Sequence, residues 1–372
     1  MIAYVPGGPL ADRFSARKLL ALSLWSTAAG GLYMSTLPDY QGSMWLWGYF
    51  GVTTILLFWA ALIRATRDWG GSDEQGRAFG LLDSGRGALA AIMASIGAGL
   101  FAWSFPEGYE YASFAERKQA LVSIIHLYTL TTFAAGIFVW FAIPESPPGR
   151  GRRWDPKKEP VLEHLGRALR LPAVWLTALI VVCAYVAYKG FDNYGLYAVQ
   201  AFGMDEVEAA KLTAVGAWVR PVAALAIGLL GDRFLVSRMT VLCFLALLVS
   251  QLIFALMTPA PSLAWVLWVN ILFGSTAIFG LRALYYAIFE EGRIPLTVTG
   301  TAVGIVSFIG YTPDIFVNYL GGVMLDASPG LAGHQNYFAF LAVFAGLGLL
   351  SSLTMILLLR HQRLAPASEN PG

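Results

Sequence analysis

The chain has 372 residues, of which 57% are hydrophobic and 13% charged, with a formal net charge of +2. That much apolar surface exceeds what a soluble core hides, so an ordinary soluble domain is excluded, and the small net charge gives no reason to expect a nucleic-acid partner. Cys183 and Cys243 each lie inside an apolar run, which argues against a disulfide or metal framework.

A helix needs roughly 20 apolar residues to cross a bilayer core about 30 Å thick, because each residue rises about 1.5 Å. The chain opens on a polar element, GGPLADRFSARK (Gly7–Lys18), and residues 1–11 are too short and too rich in Gly and Pro for the apolar core of a cleavable signal. Ten apolar runs follow, at about 18–37, 44–63, 77–103, 119–143, 173–200, 209–230, 237–258, 262–289, 297–325 and 336–360. Internal Gly, and Pro221 and Pro313, are tolerated by helices in lipid. The short alternating segments of a membrane β-barrel are absent. The expected class is all-α and polytopic.

Basic residues alternate between loops. Arg13, Arg17, Lys18, Arg64, Arg67, the group Arg150, Arg152, Arg153, Lys157, Lys158, Arg167 and Arg170, then Arg233, Arg238, Arg293, Arg360 and Arg363 fall on one side. The other side holds Arg117, Lys118 and Lys211 among Asp39, Glu107, Glu110, Glu116, Asp205, Glu206 and Glu208. By the positive-inside rule the basic side is cytoplasmic, which predicts a multi-pass cell-membrane protein with its linker and carboxyl terminus inside.

The longest polar stretch, Pro144–Arg170, reads as that linker. The predicted organisation is an amino-terminal bundle over 1–143, a linker over 144–172 and a carboxy-terminal bundle over 173–372. The halves repeat weakly: Asp12-Arg13-Phe14 returns as Asp232-Arg233-Phe234, and GRAFG (Gly76–Gly80) returns as GTAVG (Gly300–Gly304). Such repeats mark transporters that bind solute between two bundles. If the halves are equivalent, the first shows four complete helices against six, so the expectation is about ten complete helices plus the end of one more, with one helix and most of a second lacking ahead of Gly7.

GGPLADRFSARK resembles the loop motif after the second helix of the major facilitator superfamily, G-x-L-x-D-R-x-G-R-[RK], with GLLGDRFLVSR as its second-half copy. Ser15 or Ala16 stands where the motif has Gly. RATRDWGGSDEQG (Arg64–Gly76) looks like the loop between helices four and five of the organophosphate:phosphate antiporter and anion:cation symporter group, with Arg64, Trp69, Glu74 and Gly76 at that group's spacing, and GTAVGIVSFIGY (Gly300–Tyr311) is similar to its eleventh helix. The resemblance implies the major facilitator fold of two pseudo-symmetric helical bundles. It makes the opening motif a conformational latch, in which Asp12 accepts from Arg64 or Arg67 while Arg13, Asp232 and Arg233 complete the two copies.

Ionisable groups at membrane depth are costly, so they normally face the bundle interior. Asp83 and Arg86 stand three apart on one helix face, and the resemblance places Arg86 where the antiporter group presents a basic residue to an anion. Lys189 precedes Asp192 by one turn among Tyr188, Asn193, Tyr194 and Tyr197; the group's substrate-binding arginine on this helix aligns with Ala187 instead. Arg220 lies mid-helix, with Asp314 or Asp192 as its expected partner. Asp314, expected to be buried, and Asp192 are the proton-coupling candidates. The substrate-binding candidates are therefore Arg86, Asp83, Lys189, Tyr188, Asn193 and Arg220. Arg282 is expected to snorkel or close a gate, and His126 to be a hydrogen-bonded interior histidine.

There is no G-x-x-x-x-G-K-[ST] loop, H-E-x-x-H or G-x-S-x-G in the sequence, so neither an ATP-driven pump nor an enzyme is expected, and no cofactor. The function expected is secondary active transport of a small organic anion (sugar acid, carboxylate or phosphorylated metabolite) by a monomer in the lipid bilayer, coupled to protons or sodium or run by exchange. A transport-inactive remnant, a membrane sensor and a lipophilic-drug efflux carrier of the same fold are the alternatives.

Overall fold

The computed structural model describes residues 1–105, 112–145 and 159–364, and every regular element among them is helical. Much of the expected linker lies outside these residues, as do Glu107, Glu110, Arg150, Arg152, Arg153, Lys157 and Lys158. The chain opens with α1 (Tyr4–Arg13), so the polar opening element is helical up to Arg13 and turns only at Phe14, which is extended. Ser15 then starts α2 (Ala16–Met34), its Oγ accepting from the Lys18 amide at 3.4 Å. A serine cap does there what the motif's glycine leaves to the backbone.

Next come α3 (Tyr40–Gly70), α4 (Gln75–Trp103), α5 (Phe114–Ala142), α6 (Val161–Leu169), α7 (Pro172–Phe202) and α8 (Glu206–Phe234). They are followed by α9 (Val236–Leu256), α10 (Ala264–Leu284), the single turn α11 (Ile288–Glu291), α12 (Thr299–Gly310), α13 (Pro313–Ala327) and α14 (Leu331–Leu364). Three acids that mark the acidic side in the sequence are capping groups. Asp39 and Asp205 accept from Gly42 and Glu208 amides at 2.8 and 2.7 Å, and Glu116 closes a capping box with Ser113. Carboxylates suit helix amino ends because the orphan amides and the dipole there are positive.

All ten expected apolar runs are helical, but eight helical stretches among the described residues are long and apolar enough to cross a bilayer: Tyr40–Gly70, Phe114–Ala142, Pro172–Phe202, Ala214–Phe234, Val236–Leu256, Ala264–Leu284, Leu296–Ala327 and Leu331–His361. By that measure eight of the ten expected spans are supported. The two helices that fall short begin with charge, Arg17 and Lys18 on α2 and Arg77, Asp83 and Arg86 on α4, and are rich in Ala, Gly and Ser where the others carry Leu, Ile and Val. Large apolar side chains such as Trp45, Phe138, Phe141 and Trp265 are exposed, as expected where lipid replaces water.

By contact the chain groups into two compact units, each drawing on both sequence halves. The first comprises Met1–Asp68, Ala88–Ala168 and Pro295–Ile305. Here α2 lies along α5, with Trp25 against Gly136 and 5.8 Å from the Trp140 ring. Inside α3 the stretch Val52–Trp59 is π-helical, and the Thr53 carbonyl accepts from Ser23 Oγ at 2.7 Å; an inserted residue of this kind frees carbonyls that a neighbour's hydroxyl can satisfy. His126 is exposed on α5, which corrects the expected interior histidine.

The second unit comprises Trp69–Gly87, Leu169–Ile294 and Val306–Gly372. Its core is aromatic: Tyr194, Tyr197, Phe254 and Phe338 are fully buried and meet mostly edge to face at 4.8–5.7 Å. Such pairs add about 0.5–1.5 kcal/mol each beyond burial.

Candidate functional site

In the first unit the Asp12 carboxylate is fully buried and saturated with donors. Its Oδ1 accepts from the Gly300 amide at 2.7 Å and Arg64 Nη1 at 3.0 Å; its Oδ2 accepts from the Thr301 amide at 2.8 Å and Thr301 Oγ1 at 2.7 Å. His164 Nε2 lies 3.2 Å from Oδ2, and its Nδ1 lies 3.3 Å from Glu159. The backbone donors come from the amino end of α12, where a carboxylate complements the helix dipole. Gly8 makes the approach possible, since a Cβ there would stand 2.7 Å from the Gly300 oxygen and the Thr301 Cα. Arg67 instead donates to Thr299 at 2.6 Å.

In the second unit Asp232 repeats the backbone part of this clasp. Its Oδ1 and Oδ2 accept from the Gly76 and Arg77 amides, at the amino end of α4, at 2.6 and 2.7 Å. Close packing recurs too, with a Cβ at Gly80 standing 2.8 Å from the Ala224 oxygen. The repeated peptides are thus partners: the first Asp-Arg-Phe caps GTAVG, and the second caps GRAFG. Arg13 and Arg233, expected in the latch, are exposed and rest against the rings of Phe14 and Phe234 at 5.1 and 5.4 Å. A charge next to a buried aspartate in sequence points the other way on the helix, so water holds it.

The same unit gathers the charges of α4, α8 and α10. Arg220 grips Asp83 in a fork, Nη2 to Oδ1 at 2.7 Å and Nε to Oδ2 at 3.2 Å. Asp83 and Gly87 share a face of α4, and the missing side chain at Gly87 lets the Arg220 stem pass, since a Cβ there would lie 3.0 Å from Arg220 Cδ. Arg86 Nη1 and Arg282 Nε each stand 3.8 Å from Asp83 Oδ1. The expected pairing of Arg220 with Asp314 or Asp192 is therefore corrected. So is the expected snorkelling of Arg282: its side chain is 7% exposed and lies over the Tyr188 ring at 4.1 Å. Its Nε and Nη1 are buried without a hydrogen-bond partner.

A second charged group lies on α7 and α13. Lys189 Nζ is 3.2 Å from Asp192 and 3.7 Å from Asp314, and Tyr185 donates to Asp314 at 3.1 Å. Asp192 and Asp314 are about half exposed, at 55% and 47%, so the burial expected for Asp314 is not found; Pro313 starts a new helix and turns the carboxylate outward. Asn193 donates to Tyr337 at 2.9 Å. The Tyr185 and Tyr188 rings, 5.4 Å apart, join this group to Arg282.

Sequence reasoning overlooked His164 and Thr301, and placed Arg282 without its partners. A histidine at the centre of the amphipathic nonapeptide α6 is a readable signal for the first. For Arg282 the signal is its place inside an apolar helix, eight residues before Glu290.

A helical membrane fold with matched clasps and an internal arginine-rich cluster defines a solute transporter. The sequence matches the Major Facilitator Superfamily over residues 1–317, and the chain belongs to that family. It is 27% identical over 358 residues to the inner membrane protein YihN of Escherichia coli, covering 93% of this chain and 81% of that protein. It is 29% identical over 246 residues to the probable nitrate/nitrite antiporter NarK1 of Thermus thermophilus, covering 61% of this chain and 49% of that protein. In structure it is similar to the E. coli fucose:proton symporter FucP, with a TM-score of 0.78 at 17% identity over 95% of this chain and 87% of that one. The chain is a multi-pass transporter, not an enzyme.

Proposed function

We propose that the chain carries a small organic anion across the cell membrane by alternating access, driven by an ion gradient or by exchange, with the linker and carboxyl terminus cytoplasmic. The observation that carries this reading is the cluster of Arg86, Arg220 and Arg282 around the single carboxylate of Asp83. Arginine stays charged in any protein setting, so the group holds more positive than negative charge where a neutral or cationic solute would gain nothing from it. Guanidinium forks bind carboxylate and phosphate through paired, charge-assisted bonds. Tyr188 presents a ring beside Arg282, and Lys189, the next residue on the same helix as Tyr188, adds a further cation.

In this reading Asp192 and Asp314, exposed and facing Lys189, take part in coupling to protons or sodium. The two aspartate clasps hold one conformer, and they break in each transport cycle so that the solute leaves on the other side. The finer resemblance to the organophosphate:phosphate antiporter and anion:cation symporter group, carried by Arg64, Trp69, Glu74 and Gly76, agrees with a sugar acid, carboxylate or phosphorylated metabolite as solute.

The test is uptake by the purified full chain in proteoliposomes, offered labelled sugar acids, dicarboxylates and sugar phosphates under an imposed proton or sodium gradient. Accumulation of one of these is expected, and it should fall at least about tenfold in Arg220→Gln, the loss of roughly 1.4 kcal/mol of binding. Uptake of a lipophilic cation that Arg220→Gln leaves intact, with no anion uptake, would overturn the reading in favour of drug efflux.

A further inference from the structure

At the α4–α8–α10 cluster three guanidiniums face one carboxylate. Asp83 is 4% exposed and spends both oxygens on the fork of Arg220. It does not bond Arg282 in this arrangement: that guanidinium approaches only to 3.8 Å, is held over Tyr188, and keeps two buried nitrogens without a hydrogen-bond partner. Buried donors left unfilled are unfavourable, and the neighbouring carboxylate, drawn to Arg220, stands too far from Arg282 to fill them.

We infer that Asp83 is a resident counter-anion of the transport site: it occupies on Arg220 the place of the solute's anionic group, and the solute binds by displacing it while also filling the unpartnered donors of Arg282. The inference rests on the anion reading above and adds what that reading leaves open, the state of the site before solute arrives. A displaced Asp83 is not stranded, because Arg86 lies one turn along the same helix, 3.8 Å from Asp83 Oδ1, and is partly exposed. Arg220 swings over Gly87, where there is no side chain to resist the change.

Two consequences follow from competition between an internal and an external anion. Solute binding is weakened by the bond it must replace, and release is speeded because Asp83 stands ready to return. A carrier needs both, since tight binding to one conformer slows the step that frees the solute. Removing the internal anion therefore strengthens binding and slows turnover together.

The experiment measures inorganic phosphate binding by titration calorimetry on the full chain in detergent, followed by phosphate self-exchange in proteoliposomes. Asp83→Asn is expected to bind phosphate at least about tenfold more tightly than the wild type, about 1.4 kcal/mol, and to exchange it more slowly at saturation. Arg282→Gln in the Asp83→Asn background is expected to remove most of the gain. Equal or weaker phosphate binding by Asp83→Asn, with clear binding by the wild type, overturns the displacement and leaves the anion reading standing. Phosphate binding by neither protein overturns both. If loss of the Asp83 charge prevents Asp83→Asn from folding, Asp83→Asn with Arg86→Gln lowers the positive charge by one and is put through the same titrations.

Discussion

In the first unit Asp12 offers its two oxygens to two backbone amides, a threonine hydroxyl, an arginine and a histidine, and no water reaches it. In the second unit Asp232 meets the equivalent pair of amides, Gly76 and Arg77, but is only half-buried. Duplication has kept the part of the clasp that the backbone supplies and let the side-chain part diverge. Where Arg64 closes the first clasp, the corresponding end of α10 leads to Glu291, whose oxygens accept from the Val236 and Ser237 amides at 2.5 and 3.1 Å and so cap α9 instead. One clasp is a buried ion cluster, and the other is a helix cap. They should yield at different loads.

The largest expected effect separates them directly. In Asp12→Asn every partner of the side chain is a donor, so one amide hydrogen faces another and Arg64 loses its charge partner in a dry site. Breaking a buried pair from one side costs about 3–5 kcal/mol. Asp232→Asn loses charge-assisted bonds that water can partly replace, about 1–3 kcal/mol. Thermal unfolding of the two variants in detergent should show a clearly larger drop for Asp12→Asn; equal drops would mean that Arg64 and His164 add nothing to the first clasp.

The glycines test what the clasps share. Gly8→Ala and Gly80→Ala each push a methyl against backbone atoms at 2.7 and 2.8 Å, and overpacking of that kind costs about 1–3 kcal/mol. Because the contacting atoms are backbone in both cases, the two variants should lose similar stability and similar uptake. A loss confined to one would show that only that helix pair needs its close approach.

His164→Leu is a smaller change. It fills similar volume but removes one of five donors from Asp12 and the link to Glu159, so about 0.5–1.5 kcal/mol is expected. Since His164 belongs to α6, its removal should also raise proteolytic cleavage near α6, an effect that Gly8→Ala should not reproduce.

Much of this molecule is readable without coordinates, and the reason is physical. A span in lipid must be apolar for about 20 residues and must close its own hydrogen bonds, so the ten runs show where the helices lie, and a repeated Asp-Arg-Phe shows where the clasps lie. Partner identity is less readable. Arg220 pairs with Asp83 because Gly87 opens a path for it, and nothing in the spacing of Arg220 and Asp314 forbids the pairing that the sequence suggests. Arg282 is a further case: a long cationic side chain near a helix end can snorkel or turn inward, and only the Tyr188 ring beneath it decides. The apolar signal is weakest on α2, whose Arg17 and Lys18 pair with Glu145, and on α4, whose Asp83 and Arg86 belong to the charged cluster.

The smallest expected effect concerns the turn after the second clasp. Leu235 holds φ at +79°, whereas Ser15 at the matching turn is extended at −69° and caps its helix. A branched side chain in that region costs about 1–3 kcal/mol, and Glu291 supplies the cap that Leu235 lacks. Leu235→Gly removes the strain but adds about 0.5–1 kcal/mol of unfolded-chain entropy. Taken at the middle of both ranges the net gain is about 1 kcal/mol, seen as a small rise in the unfolding midpoint. Ser15→Gly, by contrast, should lower the midpoint slightly, because it deletes a cap without relieving any strain. Opposite signs at two positions of one repeated motif would show that the halves reached the same clasp by different local chemistry; a fall in both would mean that the Leu235 side chain holds its turn in place despite the strain.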